Sequence, residues 1–70
     1  MMRQRDSALA EIDDVEVVGA TDKAIRVRVD GGREVWVPQS QVHDNSEVWK
    51  LGDKGTLVVP EWLAIDKGLV

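Results

Sequence analysis

Ala24-Ile25-Arg26-Val27-Arg28-Val29-Asp30-Gly31-Gly32-Arg33-Glu34-Val35-Trp36-Val37-Pro38 decides the reading of this chain. Ile25, Val27 and Val29 alternate with charged residues, and Val35 and Val37 do so after the glycines, as half-buried strands do. The loop between them follows from register. A two-residue Gly31-Gly32 loop would set Val27 opposite Trp36 and Arg28 opposite Val35, mixing apolar and polar residues on both faces. A three-residue loop, Asp30-Gly31-Gly32, sets Val29 against Arg33, Arg28 against Glu34, Val27 against Val35, Arg26 against Trp36 and Ile25 against Val37. One face then becomes apolar and the other pairs opposite charges, which is how register is specified. Gly32 suits the left-handed position that ends such loops.

The same test applied upstream places a turn at Thr21-Asp22-Lys23. Val17 then faces Val27 and Val15 faces Val29 on the inner side. Glu16 faces Arg28 and Val18 faces Arg26 on the outer side. The expected outer rows are Glu16, Arg28, Glu34 and Val18, Arg26, Trp36. Strand character starts at Asp14, and residues 1–11 read as a flexible tail ahead of one domain over 12–70.

Downstream, Pro38 ends the third strand because it lacks the N–H of a central ladder. Gln39-Ser40-Gln41-Val42 reads as a short turn or a single 3₁₀ turn, and Asp44-Asn45-Ser46 as a loop. Val48 and Leu51 are expected in the core, with Trp49 in the core or at its rim. Gly52-Asp53-Lys54-Gly55 reads as a tight turn before a last strand, Thr56-Leu57-Val58-Val59. Pro60 suits a helix start, Glu61 the first turn, and Gly68 the C-cap. Trp62, Ile65 and Leu69 recur at helical spacing and are expected to face the core. The fold class is mainly β: a small antiparallel SH3-like or OB-like barrel of four to five strands with a short C-terminal helix.

Seventy residues with no cysteine leave a thin core and no thiolate site to reinforce it. The net charge of −4 argues against a dedicated duplex-DNA binder. Acids cluster at Glu11, Asp13, Asp14 and Glu16, and bases follow at Lys23, Arg26, Arg28 and Arg33, a pattern that also fits an ordinary solvated surface. No apolar stretch follows the charged start of the chain, and no run approaches membrane-spanning length, so a cytoplasmic location without membrane contact is expected.

Catalytic patterns are thin. His43 is the single histidine, with Ser40, Asp44 and Ser46 nearby, but residues crowded into one loop do not reach the geometry of a triad. An exposed loop histidine is the simpler reading. Gly52-Asp53-Lys54-Gly55-Thr56 lacks the order and glycine spacing of a phosphate loop. Asp44-Asn45-Ser46-Glu47 lacks the alternation of a calcium loop. No enzyme activity, cofactor or metal is expected. The candidate binding residues are Arg26 and Trp36, with Arg28 and Arg33 as flanking charge. A tryptophan beside an arginine is either a surface cation–π pair, stabilising by about 0.5–1 kcal/mol, or a stacking platform for a single strand or a protein anchor.

Two segments carry a resemblance. Val35-Trp36-Val37-Pro38-Gln39-Ser40-Gln41-Val42 is similar to the W-[IV]-P-x-S-Q-[IV] stretch of a family of very small bacterial and bacteriophage proteins. Gly55–Ala64 followed by Lys67-Gly68-Leu69 resembles its closing strand and helix, and the Thr21–Ala24 turn also fits. The resemblance spans roughly residues 15–70. It implies a compact cytoplasmic domain of mobile-element origin and transfers no functional residues. The expected function is a non-enzymatic binding module, either an accessory to phage or bacterial nucleic-acid metabolism through the Arg/Trp face, or a phage-encoded inhibitor of a host defence protein. The partner is thus a host or phage protein or a single-stranded nucleic acid, and the oligomeric state is left open.

Overall fold

The computed structural model describes residues 8–70. Four strands, β1 (Leu9–Ala20), β2 (Ala24–Arg28), β3 (Glu34–Pro38) and β4 (Lys54–Pro60), precede one helix, α1 (Glu61–Asp66). They form an antiparallel sheet in the order β3-β2-β1-β4. A 3₁₀ turn at Gln39–Gln41 follows β3. Among the described residues, no helix is long and apolar enough to cross a membrane.

The β2–β3 hairpin has the register its sequence predicts. Ile25 pairs with Val37, Arg26 with Trp36, Val27 with Val35 and Arg28 with Glu34. The Val29 N–H donates to Arg33 O and the Gly32 N–H to Val29 O, closing the three-residue loop with Gly32 at φ 84°. The β1–β2 pairing departs from expectation at one point. Glu16 faces Arg28 and Val17 faces Val27, but Val18 is bulged out and Gly19, not Val18, faces Arg26. The cause is a tighter turn: the Thr21 N–H donates to Ala24 O, so the loop is Asp22-Lys23 and the extra residue is absorbed upstream.

β1 starts five residues before Asp14, so Leu9, Ala10 and Glu11 belong to the strand and not to a tail. The rest of the expected tail, residues 1–7, lies outside the described residues. A second bulge hides this part of the strand from a period-two reading. Ile12 pairs with Leu57 and Val15 with Gly55, with Asp14 at φ 59° between them, so two buried residues stand three apart. Aspartate tolerates that left-handed conformation better than most residues. The two bulges let one long strand pair with β4 along its first half and with β2 along its second.

The core is aliphatic: Ile12, Val15, Val17, Ile25, Val27, Val29, Val37, Val42, Val48, Leu57, Val59, Leu63 and Ala64, with Val35 packed at its margin. Three expectations fail. Leu51 is exposed, while Val48 supplies the buried residue of that segment. Trp62 and Ile65 face solvent, because the short α1 turns Leu63 and Ala64 inward directly after Pro60. Leu69 returns to the core through a Gly68 cap at φ 72°, with the Leu69 N–H on Ala64 O and the Gly68 N–H on Ile65 O.

The turn into β4 is Lys50–Asp53, two residues earlier than expected, and Lys54 and Gly55 are already strand. Asp53 Oδ2 accepts the N–H groups of both Trp49 and Lys50, each at 2.9 Å. These bonds favour the ionised form and hold its carboxyl below the ordinary aspartate value. Stability from this group is therefore full above the unfolded value of about 3.9 and is lost as pH falls through the lowered folded value. Denaturant melts of wild type and Asp53→Ala at pH 7 should differ, and the gap should close on acidification toward pH 2. A gap that stays constant with pH would assign the effect to packing instead.

Candidate functional site

The outer face of the β1–β2–β3 meander brings Arg26 and Trp36 together. They are cross-strand partners, and the Arg26 guanidinium carbon lies 5.6 Å from the indole centroid, within cation–π range. Gly19 makes this possible. A Cβ there would sit 3.3 Å from Arg26 Cβ and 3.5 Å from its Nε, so the arginine lies flat across bare backbone.

The charge balance differs from the sequence expectation. Arg26 has no acid in its own row, yet its Nε lies 3.5 Å from Glu34 Oε1 on the diagonal. Diagonal neighbours on a sheet remain within reach of long side chains. Arg28 sits between Glu16 and Glu34 as predicted, and pairs with Glu16 at 2.6 Å. Arg33 does not join this face. Its register partner is Val29 on the inner side, and its guanidinium donates to Gly68 O, fastening the end of the chain to the hairpin. Arg26, Arg28 and Trp36 are thus together, and Arg33 is a strut elsewhere.

All three tryptophans reach solvent: Trp36 is 45% exposed, Trp49 37% and Trp62 60%. Trp49 is a rim residue whose indole N–H donates to Ser46 O at 3.1 Å. The missed signal was compositional. With the core filled by valine, leucine, isoleucine and alanine, the bulky indoles have no place within it.

Among the described residues, the His43 and Ser46 side chains bond to backbone groups and not to one another. His43 is half-buried rather than exposed; its backbone N–H donates to Val58 O and its Nδ1 accepts the Asn45 N–H at 3.1 Å. Ser46 Oγ is engaged by both backbone groups of Val58. A cleft of about 520 Å³ opens between the β2–β3 loop and the start of β4, lined by Asp14, Glu16, Arg28, Asp30 and Lys54 among others. Its charges are of mixed sign and include the Glu16–Arg28 pair. No family model, curated protein or solved structure matches the chain.

Proposed function

We propose that this chain is a non-enzymatic binding module that docks on a protein partner through the outer face of its β1–β2–β3 meander, with Arg26 and Trp36 at the centre of the contact. The observation that carries this reading is the 45% exposure of the Trp36 indole beside Arg26 on that face, outside an aliphatic core. Tryptophan and arginine dominate binding energy at protein interfaces. The resemblance to small bacterial and phage proteins adds a setting, a cytoplasmic host protein as target. The architecture is read as an SH3-like barrel, with the segment after the 3₁₀ turn standing in the place of a fifth strand.

Single-stranded nucleic acid is the second reading, favoured by the Arg26–Trp36 stack. It has less support, because Arg28 and Arg33 already donate within the fold, Arg26 lies in ion-pair range of Glu34, and the net charge is −4. Trp36→Ala should leave the fold intact and reduce partner affinity by about 2 kcal/mol or more, the scale of an interface hot spot. The test is a nuclease-treated pull-down from host lysate with wild type and Trp36→Ala, beside tryptophan-quenching titrations with short oligonucleotides at low and high salt. Equal retention by the variant would remove Trp36 from the interface. Quenching that disappears with added salt would favour the nucleic acid.

A further inference from the structure

The two edges of the sheet are treated differently. The β4 edge is covered by the chain itself. His43 N–H donates to Val58 O and Glu47 N–H to Thr56 O, Thr56 N–H donates to Glu47 Oε1, and Ser46 Oγ bonds both backbone groups of Val58. Among the described residues, the β3 edge has no such cover. The Val29 N–H to Arg33 O bond fixes the parity of the β2–β3 ladder. Arg33, Val35 and Val37 turn their backbone groups toward β2, so Glu34 and Trp36 turn theirs outward. Neither residue's N–H or C=O has a hydrogen-bond partner among the described residues. Val35, on the inner face at this margin, is left half-buried while Val27 beside it is fully buried. An uncovered edge next to a partly covered core residue is a template for another strand.

We infer that β3 pairs antiparallel with β3 of a second copy, with Glu34 opposite Trp36 of the other copy and Val35 on the two-fold axis. The sequence selects this register. Pairing Trp36 with its own counterpart would set Glu34 against Pro38, which has no N–H to satisfy the Glu34 carbonyl. Pairing Glu34 with its own counterpart would set like charges side by side. In the remaining register the outward N–H and C=O of both residues are satisfied in each copy, and Val35 meets Val35 on the inner face. The outer row runs Arg26, Trp36, then Glu34 and Arg28 of the other copy, with no like charges adjacent. The contact is isologous and closed, so it stops at two copies. It joins the two meanders into one continuous sheet with both Trp36 side chains on the same side. Pro38 and Glu34, which commonly blunt an edge, act here to exclude the other registers. This pairing does not depend on the protein-docking role of Trp36.

The chain has no cysteine, so one introduced thiol reports the contact cleanly. Val35 faces its counterpart at a non-hydrogen-bonded position, where Cα atoms lie about 4.5 Å apart, inside disulfide range. Val35→Cys should oxidise to a covalent dimer much faster than Leu51→Cys, whose thiol would be more exposed but off the axis. Wild type should move from a mass of 7.8 kDa toward twice that value as concentration rises in analytical ultracentrifugation. Trp36→Pro removes an N–H that points away from β2, so the hairpin ladder survives. It should weaken association by roughly tenfold to a hundredfold through the loss of two intermolecular bonds. Equal oxidation of the two cysteine variants, or a wild-type mass that never rises, would overturn the inference. A folded Trp36→Pro that associates as tightly as wild type would do the same.

Discussion

Gly55→Ala should lower the unfolding free energy by about 2–4 kcal/mol, although it adds a single methyl group to a strand. Gly55 lies in β4 opposite Val15, at φ 149°. Side chains other than hydrogen rarely adopt that backbone conformation, and forcing one there costs of order 1–3 kcal/mol. The space is occupied as well. A Cβ on Gly55 would lie 2.4 Å from Glu47 Oε1 and 3.0 Å from Glu47 Cβ. The Glu47 carboxylate could swing away, but it would then release the Thr56 N–H that it accepts at 3.0 Å. A hydrogen bond to a charged group is worth about 1.5–3 kcal/mol, less at an exposed position such as this one. The comparison that separates the causes is Gly31→Ala. Gly31 has φ 90° but nothing within 4 Å of its would-be Cβ, so that variant carries backbone strain alone. Denaturant unfolding of both variants measures the difference. If Gly55→Ala loses no more than Gly31→Ala, the Glu47 contact contributes nothing to this edge.

Glu47 also marks where the sequence stops being readable. The β2–β3 hairpin was legible to the residue, because five apolar positions on two strands must face one core and only one loop length lets them. The same logic failed at Val18, since a bulge conserves the faces on either side of it while shifting the pairing by one. Leu9–Glu11 were missed for the mirror-image reason. The inserted residue at Asp13–Asp14 breaks the alternation that identifies a strand, leaving Ile12 and Val15 at a spacing that reads as irregular. In the helix, six residues span too few turns for periodicity to choose between Trp62 with Ile65 and Leu63 with Ala64. The residues after the 3₁₀ turn are the least legible, since isolated backbone bonds and side chains, not a regular ladder, hold them.

The candidate face divides along the same line. Arg26 beside Trp36 follows from register alone, and so does Arg28 between two glutamates. Which glutamate each arginine takes does not, because a long side chain on a twisted sheet can reach the diagonal neighbour as readily as the direct one. Gly19 tips the choice by leaving room for Arg26 to lie down. Charge alone places Arg33 on this face, against its own register. Pairing with Val29 puts it on the inner side, where the carbonyl at Gly68 receives it.

Ser46→Ala should cost about 2–3 kcal/mol, more than loss of a surface hydroxyl does, because this oxygen serves as donor and acceptor to one buried residue. Ser46 Oγ accepts the Val58 N–H at 2.8 Å and donates to Val58 O at 3.0 Å. Both residues are buried. In effect, one side chain reproduces the N–H and C=O of an absent neighbouring strand, on a segment whose own backbone is too irregular to form a ladder. Alanine removes both bonds, and the effects on Val58 are unequal. Its carbonyl keeps the His43 N–H at 2.8 Å, whereas its N–H has no other partner among the described residues. An orphaned buried donor carries its full desolvation penalty of about 1–3 kcal/mol, and the lost carbonyl bond adds to it. Amide hydrogen exchange should localise the damage: protection should fall at Val58, His43 and Glu47, and be retained at Val27 in the meander. The exposed Ser40→Ala, by contrast, should stay within about 0.5 kcal/mol of wild type. The released β4 edge would leave the variant with two uncovered edges, so its aggregation should rise with concentration. If Ser46→Ala matched Ser40→Ala in stability and left exchange at Val58 unchanged, the backbone bonds of His43 and Glu47 would hold the segment without the serine.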